Sequence, residues 1–390
     1  MIRIAGGCAI VPGLLNAHSH SFQRAIRGRT EHRTSSGRDS FWTWREAMYQ
    51  TANRLSPEDV YHVARMAFLE MLLAGITTVR EFHYLHHAPD GSRYEDSNLL
   101  ALEVIRAANE TGLRIELLRS AYARAGWQTE PNPLQARFIT SAADAFIADT
   151  EELLRSGARV GVAPHSIRAV PLEYLLEIVK YARAKNLPVD MHVAEQPAEV
   201  EACLLEHGLR PVELLQDKGV LESSFTSVHG IHITEQEINF LGSSRTRVCA
   251  CPTTERNLGD GAVPADRLTG AGVTLCFGTD SNVQIDLLED ARSLEYHLRM
   301  ERLERAVLTP ELLLASVSGN EEDYFTVDLN DPSIAGSDER SILSSILFST
   351  ERTAIRDVFV GGKRVVEDGR HPLQEEIVRE FVRVQRRLWG

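Results

Sequence analysis

The residues best suited to chemistry in this 390-residue chain are histidines and carboxylates standing at the ends of short apolar runs. The run Leu14–Ala17 leads into His18-Ser19-His20. The run Val189–Val193 carries His192, with Glu195 three residues on. Phe225–His229 ends in His229, and Val273–Phe277 leads into Gly278-Thr279-Asp280-Ser281. Two histidines two residues apart at a strand end can both reach one metal ion as the chain leaves a sheet. Three imidazoles and one carboxylate suit zinc or another borderline divalent ion. Taken singly, each feature has a plainer reading: a chance His-x-His, a core histidine, a helix cap, or a turn aspartate. Their joint occurrence at separate run ends is what points to a metal. His32, His62, His207, His297 and His371 have no such placement and read as surface or packing residues.

Something must hold these run ends together. Apolar β-type runs alternate with amphipathic helical runs along most of the chain. The clearest helix spans 56–74: Ser56 caps it, Pro57 suits its first turn, Glu58 and Asp59 face the positive dipole end, and Gly75 stops it. Candidate strands are Leu14–Ala17, Ile76–Phe82, Leu113–Leu118, Val160–Ala163, Val189–Val193, Phe225–His229, Arg247–Cys251 and Val273–Phe277. Helical stretches such as Pro171–Lys185, Glu199–Glu206, Glu235–Leu241 and Leu287–Met300 lie between them. This alternation predicts an α/β fold, a (β/α)8 TIM-type barrel of the metal-dependent hydrolase kind with a small β-rich appendage from the chain termini. The expected division is a barrel over 13–319, a small β-rich domain from 1–12 and 320–372, and a C-terminal helix over 373–390. In such barrels catalytic groups sit where strands end and loops begin.

Composition narrows the function. The net charge of −13 argues against nucleic acid or an anionic membrane as partner, while leaving room for a locally basic pocket. No apolar run approaches the ~18–20 residues of a membrane span, and the first residues lack a signal-peptide core. Five cysteines, Cys8, Cys203, Cys249, Cys251 and Cys276, form no paired framework, which fits a reducing compartment and a cytoplasmic location. Cys249 and Cys251 read as core thiols.

The pattern His18-Ser19-His20, His192, His229 and Asp280 resembles the amidohydrolase superfamily. Within it, the formiminoglutamate deiminases are resembled by His18-Ser-His-Ser-Phe-Gln-Arg24, Asp39-Ser-Phe-Trp-Thr-Trp-Arg45, Glu81-Phe-His-Tyr-Leu-His-His87, His165-Ser-Ile-Arg168, His192-Val-Ala-Glu-Gln196 and Thr253-Thr-Glu-Arg-Asn-Leu-Gly-Asp-Gly261. The likeness covers nearly the whole chain. Little chain precedes His18, and the stretch between Leu314 and Phe325 is short, so the appendage is expected to be reduced.

The resemblance implies hydrolysis of N-formimino-L-glutamate to N-formyl-L-glutamate and ammonia, in histidine degradation. One divalent ion, zinc first, would be held by His18, His20, His192 and Asp280. It lowers the pKa of bound water from 15.7 to about 7. Glu195 would shuttle the proton from that water to the leaving nitrogen, Asp280 would share the role of base, and His229 would orient or polarise the attacking oxygen. The fourth strand holds no lysine to bridge two metals, which favours a single ion. The small anionic, amino-acid-derived substrate would be bound by Gln23, Arg45, Tyr84, His165 and Arg168. Arg168 follows the fourth strand, and Arg45 is expected in a long loop after the first. Trp42 and Trp44 are read as packing that loop, and His83, His86 and His87 as loop packing instead of a second metal cluster. The resemblance suggests a homodimer. The rival readings are an amidohydrolase-type deaminase of a purine, pterin or triazine ring, and a non-catalytic barrel binding protein.

Overall fold

The computed structural model describes residues 2–33 and 39–390. Two short strands open the chain, β1 (Arg3–Ala5) and β2 (Cys8–Pro12). Eight parallel strands follow: β3 (Leu14–Ser19), β4 (Ile76–His83), β5 (Arg114–Ala121), β6 (Val160–Pro164), β7 (Val189–Val193), β8 (Phe225–His229), β9 (Arg247–Ala250) and β10 (Thr274–Phe277). They pair in sequence order, and a parallel bridge between Ser19 and Asp280 joins the last to the first. The fold is the expected (β/α)8 barrel.

The barrel strands are buried on both faces, as parallel strands wrapped by helices must be; β6, β7 and β8 are buried at every position. This is why they read as continuous apolar runs. All eight candidate strands form. The third runs on past Leu118 through Arg119, Ser120 and Ala121, each paired with β6. The buried Arg119 hides this in the sequence; an ion pair with Asp149 at 2.9 Å compensates its charge.

The helix Pro57–Leu73 forms as its signals require. Ser56 accepts from the Asp59 amide at 3.2 Å, and Asp59 accepts from the Ser56 amide at 2.7 Å. The expected loop around Arg45 is instead a helix, Phe41–Ala52. Its signal was present in the sequence: Ser40 accepts from the Trp42 amide, and Thr43 Oγ1 accepts from the Ser40 amide at 3.0 Å. Aromatic crowding masks the helical spacing there.

Beyond the barrel come β11 (Tyr324–Asp328), β12 (Ile355–Val360) and β13 (Lys363–Val366). With the first two strands they form an antiparallel sheet in the order β1-β2-β11-β12-β13. The appendage is therefore a five-stranded sheet, fuller than the sequence suggested, because ten residues suffice for two short strands that pair with the distant β11. Gly13 joins this sheet to the barrel by donating to the Asp323 carbonyl and accepting from the Gly319 amide, both at 2.8 Å. A last helix, Gln374–Trp389, buries Ile377, Phe381, Val384 and Leu388. It is tied to the helix Pro57–Leu73 by a bidentate Arg65–Glu376 pair at 2.7 and 2.9 Å. Among the described residues no helix is long and apolar enough to cross a membrane, and all five cysteines are free.

Candidate metal centre and anion pocket

The barrel gathers the run ends named above at the carboxyl ends of its strands. His18 lies near the end of β3 and His20 just beyond it; His192 is on β7, and Asp280 follows β10. The Nε2 atoms of His18, His20 and His192 stand 3.1, 3.2 and 3.4 Å from one another. Asp280 Oδ1 lies 3.4 Å from His18 Nε2 and 3.3 Å from His20 Nε2. A tetrahedral ion with bonds of about 2.0–2.1 Å sets its ligand atoms about 3.3–3.4 Å apart, so the spacing fits one ion.

The protonation of the imidazoles fits as well. His20 Nδ1 donates to the Phe82 carbonyl at 2.8 Å, and His192 Nδ1 to the His165 carbonyl at 2.9 Å. Each therefore turns an Nε2 lone pair inward, the arrangement that orients histidine ligands. Burial, then the neighbouring imidazole of His18, pushes His20 down to about 3, and burial and His165 hold His192 well below its ordinary value. Neutral lone pairs facing one another at these distances repel unless a cation lies between them. Burial opposes the charge on Asp280, but the hydrogen bond from His18 and the surrounding imidazoles outweigh it and hold the carboxyl below its usual range.

Strand-end geometry does the aiming. Ala194, His229 and Asp280 have φ of 53°, 69° and 47°, a left-handed turn at the end of three barrel strands. Such backbone costs a non-glycine residue roughly 1–3 kcal/mol. It persists here because neighbours tie it down: the Asp280 amide donates to the His18 carbonyl at 3.0 Å, and the His20 amide to the Asp280 carbonyl at 2.9 Å.

His229 and Glu195 stand beside the four-residue cluster. His229 Nε2 is 3.6 Å from Glu195 Oε1 and 3.8 Å from Asp280 Oδ2. Burial opposes the charge of His229, but Glu195, the hydrogen bond to Glu255 and Asp280 push the imidazole up to about 10. Burial, only partly countered by His229, pushes Glu195 up to about 7. A carboxyl near neutrality can both take and give a proton.

The expected substrate residues gather above this cluster. Gln23, Arg45, Tyr84, His165 and Arg168 line one cavity with His20, His192, Glu195 and Asp280. Gln23 Nε2 donates to the Tyr84 hydroxyl at 2.7 Å. Arg45 stacks on Trp42 at 4.4 Å, and Arg168 approaches the same ring at 5.9 Å. One Nη1 of each guanidinium is buried without a hydrogen-bond partner, and neither forms an ion pair among the described residues. Trp42 thus holds the two cations side by side, and Phe41 and Trp44 wall the cavity.

Several further residues complete the site. Glu255 accepts from His229 Nδ1 at 3.2 Å and from the Cys251 amide at 2.8 Å, fixing the ring. Glu199 accepts from the amides of Ala194 and Glu195 at 3.1 and 3.2 Å, shaping the turn that presents Glu195. Its signal was its place in the first turn after Pro197, where a carboxylate favours free amides. Tyr49, Tyr122 and Gln135 form a hydrogen-bonded trio, with Tyr49 facing the cavity. Cys251, read as a core thiol, lies within 4.8 Å of both His229 and Asp280 ligand atoms. His86 donates to the Ser120 carbonyl at 2.7 Å and His87 contacts Thr140, as expected of packing.

Comparison with known proteins agrees with this architecture. The profile of the amidohydrolase family matches residues 9–365. The chain is 35% identical to a formimidoylglutamate deiminase of Pseudomonas aeruginosa, over 97% of this chain and 89% of that protein. It is 29% identical to an 8-oxoguanine deaminase of the same organism, over 92% and 82%. A crystal structure of an amidohydrolase from Brucella melitensis superposes with a TM-score of 0.90 at 33% identity, covering 100% of this chain and 96% of that one.

Proposed function

The chain belongs to the amidohydrolase family, and from that premise we propose that it hydrolyses N-formimino-L-glutamate to N-formyl-L-glutamate and ammonia, a step of histidine degradation. The observation that carries the substrate is the pair of guanidiniums Arg45 and Arg168, without an ion pair among the described residues, in one cavity with His20, His192 and Asp280 of the cluster. An acyclic dicarboxylate supplies the anions these two cations lack, and Arg binds carboxylates bidentately. A purine, pterin or triazine ring would leave at least one of them unpaired.

His18, His20, His192 and Asp280 would hold one divalent ion, which we take to be zinc from the donor set. Bound there, such an ion lowers the pKa of water towards neutrality and polarises the reacting carbon–nitrogen bond. Glu195 takes a proton from the attacking water and delivers it to the nitrogen that leaves as ammonia. His229, held by Glu255 and facing Glu195 and Asp280, orients the attacking oxygen. Gln23, Tyr84 and His165 position the formimino end, and Arg45 and Arg168 hold the carboxylates. Water adds to the C=N carbon, the C–N bond to the terminal nitrogen breaks, and the formyl carbonyl remains on the glutamate nitrogen. Five free cysteines suit the reducing cytoplasm, where we place the reaction.

Ammonia release from N-formimino-L-glutamate by the zinc-loaded protein, with guanine and cytosine run alongside, tests this reading. Release from the formimino acid alone is expected; turnover of a ring compound in its place would discard the substrate assignment.

A further inference from the structure

At the opposite end of the barrel from the metal cluster, a second cavity opens with a volume of about 710 Å³. Its charged lining comes from the beginnings of the barrel strands and the loops before them: Arg80, Glu116, Arg159, Arg183, Glu222 and Arg247. The carboxylates there are already taken. Arg80, buried in the barrel lumen, pairs with Glu116 at 2.7 Å and with Asp190 at 3.0 Å. Arg183 pairs with Glu222 at 2.9 Å. Arg159 and Arg247 have no ion-pair partner among the described residues, and Arg247 Nε is buried with no acceptor. Arg247 also feels the buried Asp190, but that carboxylate is already paired with Arg80; two guanidiniums with no ion pair of their own among the described residues thus meet in one concave site of a chain of net charge −13.

We propose that this cavity is a binding site for a small organic dianion, held by Arg159 and Arg247 and separate from the site of hydrolysis. Guanidinium forks recognise carboxylate and phosphate oxygens bidentately. The volume lies within the range of about 300–1,000 Å³ found for small-molecule sites. It is far larger than a bare ion needs, so the anionic group is carried on an organic body. Carboxylate and phosphate share the chemistry that two guanidiniums select, and the measurement separates them.

The test is isothermal titration of the zinc-loaded full chain at low ionic strength with inorganic phosphate and, separately, with glutarate. Saturable binding in the millimolar range or tighter is expected for at least one probe. It should weaken about tenfold or more in Arg159→Glu/Arg247→Gln while Arg168→Met, in the metal-side cavity, leaves it in place. Phosphate binding alone identifies a phosphate-bearing ligand, and glutarate binding alone a dicarboxylate. Arg159 is exposed on the rim, so Arg159→Glu by itself gives the same answer should the double variant fold poorly. Turnover in the Arg159 variant should be unchanged. Absence of saturable binding, or binding abolished by Arg168→Met and untouched by the Arg159 change, overturns the proposal. Neither result bears on the substrate, which the ammonia assay decides separately.

Discussion

Gly278 and His18 approach so closely that a β-carbon on Gly278 would stand 2.6 Å from both the β-carbon and the carbonyl oxygen of His18. The seam where β10 meets β3 therefore tolerates no side chain at the position that precedes Thr279 and Asp280. Asn16 and Asn282 bind the same seam: Asn16 donates to Thr279 Oγ1 at 2.7 Å, and Asn282 donates to the His20 carbonyl at 3.1 Å.

Gly278→Ala should consequently move His18 and Asp280 apart. Overpacking of this kind costs roughly 1–3 kcal/mol, and disturbed ligand orientation costs about 10–100-fold in metal affinity. Competition with a chromophoric chelator would read the affinity and urea unfolding the stability. Wild-type zinc affinity in the alanine variant would remove the argument that this contact sets the ligand geometry.

Glu195→Gln should lower kcat by about 10²–10⁴-fold, the usual contribution of a positioned acid–base group, with zinc content unchanged. Glu255→Gln should act through His229, lowering kcat by a smaller factor while KM changes little. Metal analysis beside steady-state kinetics distinguishes the two roles from simple loss of the ion.

Arg168→Met should raise KM. A hydrogen bond to a charged group is worth about 1.5–3 kcal/mol, or roughly 10–200-fold in binding. The melting temperature should hardly move, because the guanidinium has no ion-pair partner to lose among the described residues. A large fall in stability with unaltered KM would assign Arg168 to the scaffold instead.

Acid should destabilise the fold through His83, whose imidazole burial and the nearby Arg119 push down to about 3. An unfolded histidine titrates near 6.5. Between about 6.5 and 3 the unfolded chain therefore binds one more proton at this position than the folded chain, and stability falls as pH falls. One such proton corresponds to about 1.4 kcal/mol per pH unit. Urea unfolding between pH 5 and 8 should show the slope, and His83→Asn should reduce it. An unchanged slope would mean that His83 is charged in the folded protein.

The barrel and the identity of its reactive end are legible in the order of residues alone. Eight buried runs alternating with helices permit few other folds, and parallel strands carry their carboxyl ends to one side. Residues at or just past the ends of those runs, His18, His20, His192, His229 and Asp280, must then meet. The helical spacing of Phe41–Ala52 was legible too, once Ser40 and Thr43 are seen as its cap, though aromatic residues obscured it.

How the groups are held, and what they lack, emerges only in the folded chain. The Glu255 support of His229, the approach of Gly278 to His18 and the sharing of Trp42 by Arg45 and Arg168 join residues far apart in the chain, so no local spacing encodes them. The same holds for charge balance. Arg80, Arg159, Arg168 and Arg247 look alike in sequence, yet Arg80 is neutralised by Glu116 and Asp190 while the other three face cavities with no carboxylate at ion-pair distance among the described residues. Whether a cation is spent on the fold or left for a ligand depends on what the folded chain places within a few ångströms of it, because a pairing that compensates burial is a short-range interaction.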